Sequence, residues 1–130
     1  MGLLSRAPPE VHAIKRKALS MILESSKSSF PNEFGALLRE EDGEITEIIL
    51  LPGTISGEDS ALFQLHMRPI DFSIVGSAHS HPIGNYTPSE ADLDFFRRSG
   101  HVHIIVRWPY SDIDWAAYDV QGNPIKLEVR

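Results

Sequence analysis

Residues 77–96 read SAHSHPIGNYTPSEADLDFF and set His79 and His81 on either side of Ser80, directly ahead of Pro82. A neutral imidazole offers a ring-nitrogen lone pair to a metal or a proton. In a strand, side chains alternate faces and rise about 3.3 Å per residue, so His79 and His81 point the same way and Ser80 turns away. Two imidazoles do not complete a site. Zinc takes four ligands, and a catalytic zinc keeps one of them as water, so a third protein ligand has to come from nearby.

The next segment supplies a candidate. At about 100° per residue, a helix over 89–98 puts Phe95, Asp92, Phe96, Ser89 and Leu93 on one arc, and Arg97, Glu90, Asp94 and Arg98 on the other. Asp92 is the charge that falls among the apolar residues, where a carboxylate is costly unless something pairs with it. A metal is one such partner, and Ser89 lies beside Asp92 on the same face. The competing reading makes His79 and His81 loop-edge residues and lets Asp92 cap a turn or meet an arginine. An H-x-H pair alone fits that second reading better. Asp92 on the apolar face favours the metal.

The elements that must hold these residues fit in 130 residues, which is one domain with room for a real core. At 42% hydrophobic and 23% charged, the composition is that of an ordinary globular chain. The formal charge of −6 argues against general attraction to nucleic acid. Cysteine is absent, which removes disulfides, thiol catalysis and Cys-based zinc sites, and fits a reducing compartment. Any metal must be held by His and carboxylate. The start MGLLSRAPPE is too short and too soon interrupted for a signal peptide, and Arg6 breaks a myristoylation pattern that wants Ser or Thr there. No apolar run approaches membrane-spanning length. The expectation is a cytoplasmic protein with a loose lead over 1–10 and one domain over 11–130.

Within that domain, 11–14 reads as a short strand and 15–29 as a helix carrying Ala18, Leu19, Ile22 and Leu23, with Pro31 as a stop. Residues 33–40 and 45–52 read as strands around the turn 41–44. A loop over 53–60 and a strand over 61–67 follow, then a strand over 72–81 ending at Pro82. Thr87 reads as a helix N-cap, with Pro88 at the first helical position and Glu90 closing a capping box. That helix runs to about Arg98, ended by Gly100. Strands over 101–109, 113–120 and 124–130 complete the chain, the last two joined through Gln121-Gly122-Asn123. The fold class is α/β, a single domain with a mixed β-sheet flanked by two or three helices. No glycine-rich nucleotide-binding pattern is present.

Glu33, His79-Ser80-His81-Pro82, then six residues, Ser89, two residues and Asp92 together resemble the JAMM (MPN-plus) zinc metalloprotease motif, without departure in spacing. The order of elements from about Val11 onward is similar to that domain over nearly the whole chain, which implies a cytidine-deaminase-like JAMM/MPN architecture. The resemblance implies that His79, His81 and Asp92 bind one zinc with water as fourth ligand. It implies Glu33 as general base and acid, and Ser89 as hydrogen-bond donor to the developing oxyanion. From its surroundings alone Glu33 is a solvated strand-edge residue; only the motif lifts it above the other carboxylates. The family's members cleave isopeptide or peptide bonds after the tail of ubiquitin or a ubiquitin-like protein. No long insertion of the kind that grips ubiquitin chains is present, so a compact prokaryotic type is the better match.

Other residues invite the same question. His101-Val102-His103 is a second H-x-H, without a following helix that carries a buried acid; it reads as structural, with one ring a candidate for supporting a ligand. His66 could line the cleft, and His12 carries no signal. Trp108 and Trp115 read as core or edge packing rather than substrate platforms. The expected partner is a ubiquitin-like modifier or sulfur-carrier protein ending in Gly-Gly, with no nucleic acid and no membrane. Two alternatives stand beside it: a hydrolase that releases an amino acid or small group from a sulfur carrier's C-terminus, and a non-catalytic MPN scaffold.

Overall fold

The computed structural model describes residues 10–50, 73–85, 87–98 and 100–130. The lead through residue 9, the loop expected over 53–60 and the strand expected over 61–67 with His66 lie outside the described residues. In chain order the elements are β1 (Ala13–Ile14), α1 (Arg16–Ser29), β2 (Gly35–Glu41), β3 (Glu44–Leu50), β4 (Ile74–His81), α2 (Glu90–Phe96), β5 (Val102–Arg107), β6 (Trp115–Tyr118), β7 (Pro124–Ile125) and β8 (Glu128–Val129). Among the described residues they form one mixed sheet of eight strands in the order β7-β6-β5-β4-β2-β3-β1-β8.

The centre of the sheet follows from composition. β5 is a nearly unbroken apolar run, Val102-His103-Ile104-Ile105-Val106, buried on both faces as a strand covered on two sides must be. It lies parallel to β4, with His79 opposite Ile105 and His81 opposite Arg107. β4 runs antiparallel to β2 on its other side, with Gly35 opposite His79. β2 and β3 meet in a two-residue turn, where Asp42 (φ 54°) and Gly43 (φ 81°) both take the left-handed backbone that matches strand twist. The turn expected over 41–44 is there.

Two layers cover the sheet. α1 buries Ala18, Leu19, Ile22 and Leu23, the stripe expected from their spacing, against Leu38, Ala78, Ile104 and Val106. On the opposite face α2 drives Phe96 against Ile105 and Tyr118, with Leu93 and Phe95 packed around it. Alternation along β4 and β5 therefore decides which helix each residue meets.

Three expectations need correction. The helix near Thr87 begins later: Ser89, not Thr87, is the N-cap, and Asp92 rather than Glu90 closes the capping box. The Thr87 N–H is already used by the Asn85 side chain at 2.9 Å, which holds this stretch in a turn. The strand expected over 124–130 is two short strands, β7 beside β6 and β8 beside β1. They occupy opposite edges of the sheet, yet only Lys126 and Leu127 separate them. Three peptide units reach at most about 11 Å, so the sheet must curl until its edges nearly meet. Trp108, expected in the core or along an edge, is 54% exposed. Trp115 does pack against the core. No helix among the described residues is long and apolar enough to cross a membrane.

Of the second H-x-H pair, His103 has a structural place. His103 is fully buried, with Phe96 stacked on its ring at a centroid distance of 4.1 Å and 5° between planes. Its Nε2 donates to the Gly100 carbonyl at 3.0 Å, so its Nδ1 accepts the Ser77 hydroxyl at 2.8 Å. Burial, chiefly, lowers its pKa from 6.5 to about 4. The unfolded chain therefore binds a proton between those values that the folded chain refuses. The stability this neutral ring supports is full above pH 6.5 and is lost as pH falls to 4, an amount of about 3 kcal/mol. Urea unfolding with chelator present should show wild type losing about that much relative to His103→Phe between pH 7 and pH 4. Parallel pH profiles for the two proteins would contradict the assignment.

Candidate metal centre

Strand alternation does at β4 what the sequence implied. His79 and His81 face α2, while Ser80 is fully buried on the other face, its Oγ accepting the Phe34 N–H at 2.8 Å. That bond, with Ser80 N–H donating to the Phe34 carbonyl at 3.0 Å, fastens the entry to β2 alongside the end of β4. Glu33 is thereby brought to the site. It is a single bridge residue ahead of β2 rather than the first residue of that strand, and it is exposed.

α2 presents Asp92 from above. The Ser89 N–H donates to Asp92 Oδ2 at 2.9 Å, and the Asp92 N–H donates to Ser89 Oγ at 3.0 Å. This reciprocal cap satisfies two otherwise unpaired donors of the first turn and locks the carboxylate rotamer. Asp92 Oδ1 then lies 3.0 Å from His79 Nε2, and Oδ2 lies 3.1 Å from His81 Nε2. The two ring nitrogens are 3.2 Å apart.

The tautomer makes this cluster electron-rich. His81 Nδ1 is 2.7 Å from the Asn85 carbonyl, which only accepts, so Nδ1 carries the proton. In the neutral ring, Nε2 is then a bare lone pair, and it faces another ring nitrogen and a carboxylate oxygen. Such a convergence requires a cation. A tetrahedral ion with ligands at 2.0–2.1 Å needs donors about 3.3 Å apart, and these stand 3.0–3.2 Å apart. Without a metal, protons fill the role. Burial alone would lower the His81 pKa, but the Asp92 hydrogen bond, the Asn85 carbonyl and the charges of Asp92 and Glu33 outweigh it and raise it. Burial likewise pushes Asp92 upward, and the hydrogen bonds from His79 and His81 hold it well below the usual carboxylate range instead. Among the described residues, His79, His81 and Asp92 are the group of His and acidic side chains able to hold a metal ion.

Their side chains are 12–17% exposed, so the centre is shielded while one side stays open. That side is a cleft of about 470 Å³ lined by Pro31, Glu33, His79, His81, Pro82, Ile83, Ser89 and Asp92. Every site residue expected from the sequence lines it. Sequence reasoning missed the support. The Asn85 carbonyl that sets the His81 tautomer is backbone and leaves no residue-type signal. The Phe96–His103 stack, which seats α2, joins a residue on the apolar arc of that helix to one read as structural, and their contact was not legible.

Comparison with known proteins agrees with this geometry. The family of prokaryotic homologues of the JAB domain matches residues 15–119. A curated relative from Haloferax volcanii, described as a probable metalloprotease, is 42% identical over 130 residues, covering 92% of this chain and 80% of its own. The crystal structure of a JAB1/MPN domain protein from Archaeoglobus fulgidus superposes with a TM-score of 0.75 at 40% identity, over 90% of this chain and 97% of that one. A structure described as a JAMM metalloprotease-like zinc site in the proteasome and signalosome gives 0.73 at 37% identity, over 92% and 98%. With the family matched across most of the chain and a relative this similar over nearly all of it, the chain belongs to the prokaryotic JAB-domain (JAMM) family of metalloprotease-like proteins.

Proposed function

We propose that the protein is a zinc-dependent peptidase or isopeptidase that cuts directly after the C-terminal Gly-Gly of a ubiquitin-like modifier or sulfur-carrier protein. The observation that supports this best is the convergence of His79 Nε2, His81 Nε2 and the Asp92 carboxylate in a cleft that Glu33 also lines. Three protein ligands leave a fourth position for water, the arrangement of a catalytic rather than a structural zinc. Nitrogen and oxygen donors also suit other divalent metals, so zinc is part of the proposal.

Held by His79, His81 and Asp92, a zinc ion would supply Lewis acidity towards the scissile carbonyl and towards water. Glu33 takes the proton from the attacking water as the new C–O bond forms. It returns that proton to the amine nitrogen as the C–N bond breaks, leaving a carboxylate and a free amine. Its exposure suits the task, since a general base must reach water and leaving group in turn. Ser89 Oγ accepts from Asp92 N–H, so its own proton remains to donate to the carbonyl oxygen as negative charge develops there. The Asn85 carbonyl keeps His81 in the tautomer whose Nε2 can ligate. The alternative substrate, an amino acid on a sulfur carrier's C-terminus, would use the same groups. A scaffold would have no need of a complete donor set with a carboxylate beside it.

Metal analysis of purified protein should find close to one zinc per chain, most of it lost in His81→Ala and in Asp92→Ala but kept in His101→Ala. Full occupancy in the first two variants would sink the ligand assignment. Glu33→Gln should keep metal and fold yet lose nearly all turnover, and Ser89→Ala should lose roughly 10²–10³ in rate with metal retained. A loss of less than tenfold in Glu33→Gln removes Glu33 as the base. On ubiquitin-like fusions, cleavage after Gly-Gly should stop with chelator and return with zinc. Changing the last glycine to Leu should nearly abolish it, because the side chain meets the cleft wall. Equal rates on both tails, or rapid digestion of unrelated unfolded proteins, would indicate a general peptidase.

A further inference from the structure

The neutral ring of His81 has one proton and two acceptors that compete for it. The Asn85 carbonyl lies 2.7 Å from Nδ1, and Asp92 Oδ2 lies 3.1 Å from Nε2. Asp92 is the charged acceptor, and hydrogen bonds to ionised groups are the stronger ones. Left to the carboxylate, the proton would settle on Nε2 and close the lone pair that a metal needs. The Asn85 carbonyl therefore has to be held in place for the proton to stay on Nδ1.

Packing does not hold it. Gly84, directly before Asn85, has φ 93°, and a Cβ added there would meet nothing within 4 Å. Ile83, before that, is 91% exposed. What fixes the carbonyl is the Asn85 side chain, whose Oδ1 accepts the Thr87 N–H at 2.9 Å and closes an Asx turn. Thr87 is a firm anchor. Pro88 after it disfavours helical backbone at Thr87, and Ser89 then opens α2 through its reciprocal cap with Asp92. Asn85 thus spans both ligand-bearing elements. Its carbonyl meets the ring of His81 at the end of β4, and its side chain meets the lead into α2, which carries Asp92.

We infer that Asn85 is a positioning residue whose side-chain amide, by anchoring its own carbonyl to Thr87, keeps the His81 proton on Nδ1 and leaves Nε2 open to a metal. The inference rests on the metal-site reading and adds a residue outside the ligand set. Without Oδ1 the loop pivots at Gly84, a residue with unusually free backbone, and the carbonyl leaves Nδ1. The proton then moves to Nε2, towards Asp92, and has to be given up before that nitrogen can ligate. Groups that orient a ligating histidine in this way typically govern affinity by 10–100-fold. Aspartate offers the same acceptor at the same distance from the backbone, so it preserves the turn.

The experiment compares full-length wild type, Asn85→Ala and Asn85→Asp by two readouts that need no substrate. Ring nitrogen shifts of metal-free protein, recorded by NMR at about pH 9 where histidine is neutral, should show His81 as Nδ1–H in wild type and Asn85→Asp. Asn85→Ala should shift it to Nε2–H. Zinc affinity, measured by competition with a chelator, should fall roughly 10–100-fold in Asn85→Ala and stay within about threefold of wild type in Asn85→Asp. The melting temperature of the metal-free proteins should agree within about 3 °C, since the lost bond is on the surface. That agreement separates positioning from a general loss of fold. An Nδ1–H tautomer kept in Asn85→Ala, unchanged zinc affinity there, or Asn85→Asp as weak as Asn85→Ala would overturn the inference, whatever the protein cleaves. Wild type that binds zinc but cuts no Gly-Gly fusion would instead remove the peptidase reading and leave this one standing.

Discussion

One carboxylate meets two demands, and the candidate metal centre depends on its doing so. Asp92 Oδ2 accepts the N–H of Ser89 at the start of α2 and also faces His81, while Oδ1 faces His79. A side chain tied only to its own helix would point wherever the rotamer allowed. Tied also by the cap, it presents two oxygens to two ring nitrogens without further loss of freedom. The same capping bond that begins the helix aims the ligand, so local folding and site assembly are one event here. A metal ion held there would meet a preformed arrangement, which lowers the ordering cost of binding.

The helix in turn is seated from below. Phe96 lies flat on His103, whose two ring nitrogens are both used, and touches the neighbourhood of His79 at a centroid distance of 6.5 Å. α2 is short, and a helix of this length does not persist on its own in water. Its position is a property of the sheet face it covers. Gly100, at φ 114°, turns the chain from α2 back into β5 at a point where an added Cβ would collide with the Val75 carbonyl. Any residue but glycine there would displace the return and, with it, the helix that carries Asp92.

Register matters as much as rotamer. A slip of one residue between β2 and β4 would exchange the faces of His79, Ser80 and His81, burying the imidazoles under α1 and turning the hydroxyl to the cleft. The Phe34–Ser80 hydrogen bond and the apolar stripe facing α1 both resist that slip. The cleft wall carries a different cost. Ile83 is left to solvent, an exposure that invites association, and the chain's formal charge of −6 works against it.

What the sequence determined by itself was local and periodic. The period of two placed His79 and His81 on one face, and the period of 3.6 placed Asp92 with Phe96 and Ser89; both hold because they depend only on backbone geometry near each residue. The stripe of α1 and the Asp42-Gly43 turn were legible for the same reason. Family resemblance, not spacing, singled out Glu33, since an exposed acid after Pro31-Asn32 looks like any other. Tertiary structure decided the rest. It paired β2 with β4, bringing Glu33 to imidazoles that lie 46–48 residues further along the chain. It divided the final strand between two edges of a curled sheet and left Trp108 outside the core. Those outcomes follow from which distant surfaces bury one another, and the energy of long-range burial leaves no mark on the few residues around any one position.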